Sequence, residues 1–133
     1  MDRKEAMEFF NKRPRIGTLS TANSEGDVNV AVFGSPQMID EETVVMGIGN
    51  NRSFKNLQAN PKAAFIVLEP GDAMPEWKGI RVYLRAEAIE VQGALIDQIR
   101  GNIEKAAGKG AGSAIHAGIR FKVTDVRPLV APM

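Results

Sequence analysis

The sequence predicts a mainly β protein, a six-stranded antiparallel β-barrel with peripheral helices. Three observations lead there. Apolar residues recur at every second position in several short runs, and clusters of Gly, Pro, Asn and Asp separate those runs. Helical spacing occurs only at the start, between the fourth and fifth strands, and before the last strand. A doubly wound sheet would instead alternate strands with helices throughout. The 133 residues, 44 % of them hydrophobic, suffice for one core and are too few for two ordinary ones, so residues 1–133 are expected to form a single domain.

Asp2 caps a helix through Ala6, Met7, Phe9 and Phe10, which Pro14 stops. From Ile16 to Thr21 the period changes to two. Asn23-Ser24-Glu25-Gly26-Asp27 then supplies a turn before Val28 to Phe33, so the two runs form a hairpin. Gln37-Met38-Ile39 can form a short strand, and Thr43 to Ile48 a longer one. Arg52 to Ala59 reads as a two-turn helix, capped by Asn51 and ended at Asn60-Pro61 because proline disfavours helical geometry in the residue before it. Ala63 to Leu68 is continuously apolar, as in a strand buried on both faces. Ile80, Val82, Leu84, Ala86 and Ala88 alternate with polar residues in the clearest strand of the chain. Leu95, Ile96, Ile99 and Ile103 share one helical face, the Gly108 to Ser113 loop is expected to be mobile, and Ile119, Phe121 and Val123 mark the last strand.

Several function classes drop out. A formal net charge of +1 provides no basic face for nucleic acid, so no nucleic-acid partner is expected. With no cysteine, thiol chemistry and disulfides are absent, and redox work would need a bound cofactor. The charged N-terminus carries no apolar run of signal-peptide or membrane-span length, so no membrane partner and a cytoplasmic location are expected. His116 is the single histidine and has no nearby carboxylate cluster. It reads as a surface residue, and no metal site is expected.

The most informative segment is Gly47-Ile48-Gly49-Asn50-Asn51-Arg52-Ser53, where an apolar strand ends in a turn and a helix opens with a cation and a hydroxyl. Free N–H groups and the positive dipole end of a helix favour phosphate, and Arg52 can add a forked contact. The same residues also suit an ordinary helix capped by Asn51, with Ser53 solvated and Arg52 covering apolar surface. The Gly-x-Gly fragment is no dinucleotide fingerprint, because Arg52 stands at the third glycine and no βαβ unit surrounds it. Gly108-Lys109-Gly110 fails as a phosphate loop because it lacks the Ser/Thr and follows a helix. Trp77, on a turn before the long strand, suits either a flat ligand or the barrel's end.

Taken together, Asp27 to Phe33, Val44-Val45-Met46-Gly47, Asn51-Arg52-Ser53-Phe54-Lys55-Asn56-Leu57 and Asn60-Pro61 resemble the pyridoxamine 5′-phosphate oxidase-like family of FMN-binding split barrels, notably its short FMN-binding proteins. The resemblance runs from Arg15 to Val126. It implies a Greek-key split barrel with flavin mononucleotide (FMN) at a homodimer interface. Arg52 and Ser53 would then hold the phosphate, with Asn51 at the helix head and Lys55 as a nearby cation. Backbone at Asn29, Val30, Ala31 and Val32 and at Met46, Gly47 and Ile48 would line the ring and ribityl chain, and Trp77 and Lys78 would come from the partner subunit.

Three departures qualify these expectations. Ser53 stands where many members carry a second basic residue, which predicts weaker phosphate binding. Leu84 stands where the long strand often has glycine. After Arg127-Pro128-Leu129 the chain runs only to Met133, without the C-terminal segment that binds substrate in true pyridoxamine phosphate oxidases, so vitamin B6 oxidation is not expected. The implied function is flavin-dependent oxidoreduction, with a noncatalytic electron-transfer module or a barrel for another phosphorylated cofactor as alternatives. No residue stands out as a catalytic acid or base.

Overall fold

Asp2 opens α1 (Arg3–Asn11) with a reciprocal cap: its carboxylate accepts the Glu5 N–H at 2.8 Å while the Glu5 side chain reaches back to the Asp2 N–H. The computed structural model describes residues 1–130, so the expectation resting on the chain's end at Met133 lies outside the described residues. After α1 come β1 (Ile16–Ala22), β2 (Val28–Val32), β3 (Gln37–Asp40), β4 (Thr43–Ile48), α2 (Arg52–Ala59), β5 (Lys62–Glu69), β6 (Lys78–Glu90), α3 (Ala94–Ala107) and β7 (Ala117–Pro128).

The strands form one antiparallel sheet in the order β2-β1-β5-β6-β7-β4-β3. The sheet curls around a core that includes Leu19, Met46, Phe65, Val82, Ile119 and Phe121. Its first and last strands, β2 and β3, share no ladder, so the barrel is split. The count is seven strands, where the sequence predicts six. Each of the seven corresponds to a run read from the sequence, including the short β3 at Gln37-Met38-Ile39, whose only buried side chain is Met38. No described helix is long and apolar enough to cross a membrane.

Two further expectations need correction. Ala63 to Leu68 is not buried on both faces: Phe65 and Val67 enter the core, while Ala64, Ile66 and Leu68 remain half-buried on the outer face. The alternation of β6 is interrupted by a register shift between Ala86 and Ala88, after which Ile89 packs on the core. The Gly108 to Ser113 segment is a series of hydrogen-bonded turns, in which Ala111 N–H donates to Gly108 C=O and Ser113 N–H to Gly110 C=O.

α1 closes one barrel end, burying Ala6 and Phe10, with the Phe10 ring 5.4 Å from that of Phe65. Its last residue, Asn11, pairs with the backbone of Met38 through both amide atoms, at 2.8 and 2.9 Å, and so covers part of the β3 edge. The Glu5 N–H bond holds the Asp2 carboxyl below its ordinary 3.8. A depressed carboxyl stabilises the fold above its unfolded value, and that contribution is lost as pH falls through the folded value. Asparagine caps comparably and does not titrate. Between about pH 6 and about pH 2, wild type should therefore lose more stability than Asp2→Asn, measured by urea unfolding at each pH.

Candidate functional site

The predicted bounds of α2 coincide with the observed helix. Asn51 accepts the Phe54 N–H at 3.0 Å, and Pro61 follows the C-terminal Asn60. Phe54 and Leu57 anchor the helix in the core. Three residues apart on another face, Ser53 and Asn56 meet the β1–β2 hairpin. The Asn29 amide donates to Ser53 Oγ at 3.1 Å, and the Asn56 amide donates to Thr21 Oγ1 at the same distance. Ser53, Asn56 and Thr21 are all buried, so the Asn56–Thr21 bond is shielded from water and the Asn29–Ser53 bond partly so.

This docking leaves the first turn of α2 at the rim. Arg52 and Lys55 are exposed, and neither forms an ion pair or side-chain hydrogen bond among the described residues. The Arg52 and Ser53 N–H groups donate to no carbonyl there, as expected of the first two positions of a helix. The Ser53 hydroxyl accepts from Asn29 and keeps its own proton free to donate. Two cations, two backbone donors and one hydroxyl thus share one helix end, an arrangement able to hold a phosphate.

The remaining predicted residues divide. Asn29 and Ala31 point inward from β2, whereas Val30 and Val32 point outward and are 64 % and 75 % exposed. Met46 and Ile48 are core side chains at 1 % exposure, which closes any side-chain role toward a ligand. A Cβ on Gly47 would lie 2.8 Å from Ile115 Cδ1 and 3.1 Å from Ile99 Cγ2, so this glycine makes room for packing under α3. The carbonyls of Gly47 and Ile48 are taken by the Ser35 hydroxyl at 2.7 Å and the His116 N–H at 2.8 Å.

Trp77 and Lys78 lie away from this site within one chain. α2 leads into Lys62 at one end of β5, while Lys78 pairs with Glu69 at the other end. Trp77 is half-buried and donates its indole N–H to Gly71 C=O at 3.0 Å. His116 is exposed, with its ring edge-on to Phe54 at 5.0 Å between centroids. Leu84 is a core residue. Among the described residues no three His, Cys, Asp or Glu side chains converge on one point. Sequence reasoning missed Thr21 and Asn56. The three-residue spacing of Ser53 and Asn56 was a local sign that both face one neighbour, but nothing local names that neighbour.

Fold and site together define a split-barrel domain with an anion-competent helix end beside an open sheet face. The chain belongs to the pyridoxamine 5′-phosphate oxidase family, whose model matches residues 3–129. Among solved structures it is similar to an FMN-binding protein from Syntrophomonas wolfei subsp. wolfei, with 26 % identity over 98 % of this chain and 87 % of that one and a TM-score of 0.83. HupZ from Group A Streptococcus, at 16 % identity, covers 97 % of this chain and 94 % of its own with a TM-score of 0.76. An FAD-binding protein from Mesorhizobium loti, at 20 % identity, covers 96 % and 94 % with a TM-score of 0.66. The last two share the fold alone. No curated protein sequence matches the chain.

Replacing Asn56 with Ala would strand the buried Thr21 hydroxyl and remove one of the two side-chain bonds between α2 and the hairpin. The expected loss is about 1–3 kcal/mol, read as a lower urea midpoint with unchanged slope.

Proposed function

We propose that the protein is a homodimeric FMN-binding flavoprotein that performs oxidoreduction on a small molecule or redox partner. The observation carrying this reading is the uncompensated charge at the head of α2: Arg52 and Lys55 face solvent without an acidic partner among the described residues, beside the free N–H groups of Arg52 and Ser53 and the Ser53 hydroxyl. Family membership and the likeness to an FMN-binding protein support the choice of flavin.

The donor set fits a phosphate monoester. Arg52 would grip it with a charge-assisted fork, Lys55 would add a point charge, and Ser53, oriented by Asn29, would donate through its hydroxyl. Asn51 would keep the helix end shaped for the anion by holding the Phe54 N–H. The flavin, when bound, supplies the hydride and single-electron chemistry. The chain's own part is to bind it, orient it and limit water, and no side chain is assigned as acid or base. The ring would lie along β2 at Val30 and Val32, and with the Met46 and Ile48 side chains in the core, that segment would contribute backbone alone.

A second copy of the chain is part of this proposal. Val28, Val30 and Val32 are 80 %, 64 % and 75 % exposed on an edge strand, continuing across the ladder into Thr18 and Ile66 and into Ser20, Ala64 and Tyr83. An uncovered apolar edge invites uncontrolled pairing, and a symmetric partner would cover it. The same partner would bring Trp77 and Lys78, remote from α2 in one chain, to the flavin. FAD carries the same ribityl phosphate, and the FAD-binding relative makes it the second reading.

Titration with FMN, followed by flavin fluorescence, should saturate, and Arg52→Ala should weaken binding at least tenfold, or about 1.4 kcal/mol. Tighter binding of FAD than FMN would select the second reading, and binding of neither would remove the flavin proposal. Turnover of the bound flavin between a nicotinamide or deazaflavin donor and an acceptor would distinguish an enzyme from an electron-transfer module.

Light scattering should report a dimer for wild type and a monomer for Val30→Asp/Val32→Asp. A monomeric wild type would rule out the shared site.

A further inference from the structure

α3 lies flat on the sheet only over its first half. Ile96 and Ile99 are buried, but Ile103 is half-buried and Ala106 and Ala107 are exposed. Between this second half and the sheet lies a cavity of about 340 Å³ whose wall includes Val45, Ile99, Ile103 and Ile115. That volume is at the lower end of the ~300–1,000 Å³ range of small-ligand sites.

The mouth of this cavity is polar and cationic. It adjoins a second depression, and Arg13, Gln37, Asn102 and Ala106 line both. Lys105 and Asn11 complete the outer part. Two cations and three side-chain amides therefore ring the entrance to an apolar wedge, and no Asp or Glu lines either part among the described residues. Arg13 is oriented by donating one Nη to the Gly34 carbonyl at 3.2 Å and to the Pro36 carbonyl at 3.4 Å. Its remaining N–H groups have no partner among the described residues. Lys105 forms no ion pair there.

We infer that this wedge is a binding site for a small amphiphilic anion, with its apolar body between α3 and β4 and its carboxylate or phosphate head at Arg13 and Lys105. The apolar wall provides affinity through burial, and the forked guanidinium with a second, mobile cation selects the charged head. The amides of Gln37 and Asn102 can donate to the same oxygens. The site is separate from the head of α2. Val45 precedes Ile48 by three residues on β4, roughly 10 Å along the strand, and Ile115 stands between the wedge and that strand end.

The test is calorimetric titration of the full chain with decanoate, with decyl phosphate, and with decanol as the neutral control, below the concentrations at which these probes self-associate. One acid or both should bind saturably at one site per chain, at least tenfold tighter than decanol, and the tighter acid identifies the head group. Lys105→Gln, which breaks no bond within the protein, should weaken the acid at least threefold and leave decanol unchanged. Ile103→Asp should abolish binding of all three probes without altering FMN titration, which separates failure here from failure of the flavin reading. The inference is overturned if neither acid binds, if decanol binds as tightly as the acids, or if both variants bind the acids as wild type does.

Discussion

A sheet that curls on itself without joining its first and last strands leaves two edges whose backbone groups need other partners, and most of this molecule's irregular features answer that need. Arg15 is the main clasp. Its guanidinium donates to the carbonyls of Phe10, Gly34 and Pro36, joining the end of α1 to the segment between β2 and β3. It also stacks over the rings of Phe10 and Phe65, 4.9 and 5.5 Å from their centroids. Burial lowers its pKa to about 10, which still leaves it cationic at neutral pH. Ser35 then ties the same segment to β4 through the Gly47 carbonyl, and Asn11 covers Met38 on the β3 edge. Side chains thus make the connection that a closing ladder makes in a complete barrel.

The split has consequences for both candidate sites. On one side of the seam, β2 stays an edge strand, held by β1 and by the Asn29 to Ser53 bond, and its outward valines remain open for a second copy. The head of α2 is consequently at a rim, where a phosphate could be reached from solvent. On the other side, α3 buries Ile96 and Ile99 in its first half only, and a cavity opens between its second half and Gln37 and Val45. The wedge under α3 and the exposed valines of β2 are therefore two results of one incomplete barrel.

Ser53 illustrates how packing and chemistry share a residue. Buried and hydrogen-bonded to Asn29, it helps to fix α2 on the hairpin and still retains a hydroxyl proton directed by that bond. A long basic side chain at this buried position would have to displace that contact. Under the proposed phosphate reading the second cation would be the exposed Lys55, three residues after Arg52 on the helix.

What the sequence determined by itself was local. The capping residues Asp2 and Asn51, the stop at Asn60-Pro61, and the two-residue periods of β1, β6 and β7 are written in neighbouring residues, because caps, proline sterics and side-chain alternation act over a few positions. The phosphate-competent composition of Asn51-Arg52-Ser53 was legible for the same reason. Tertiary structure alone decided which partners those elements meet. That β5 leaves Ala64, Ile66 and Leu68 half-buried, that Thr21 receives Asn56, that Gly47 makes room for Ile99 and Ile115, and that Trp77 lies a full strand away from Arg52 all depend on pairings between distant segments. An apolar run reads the same whether its second face is covered by its own chain, by a second copy or by a ligand, since burial is a property of the assembled surface and not of the residue.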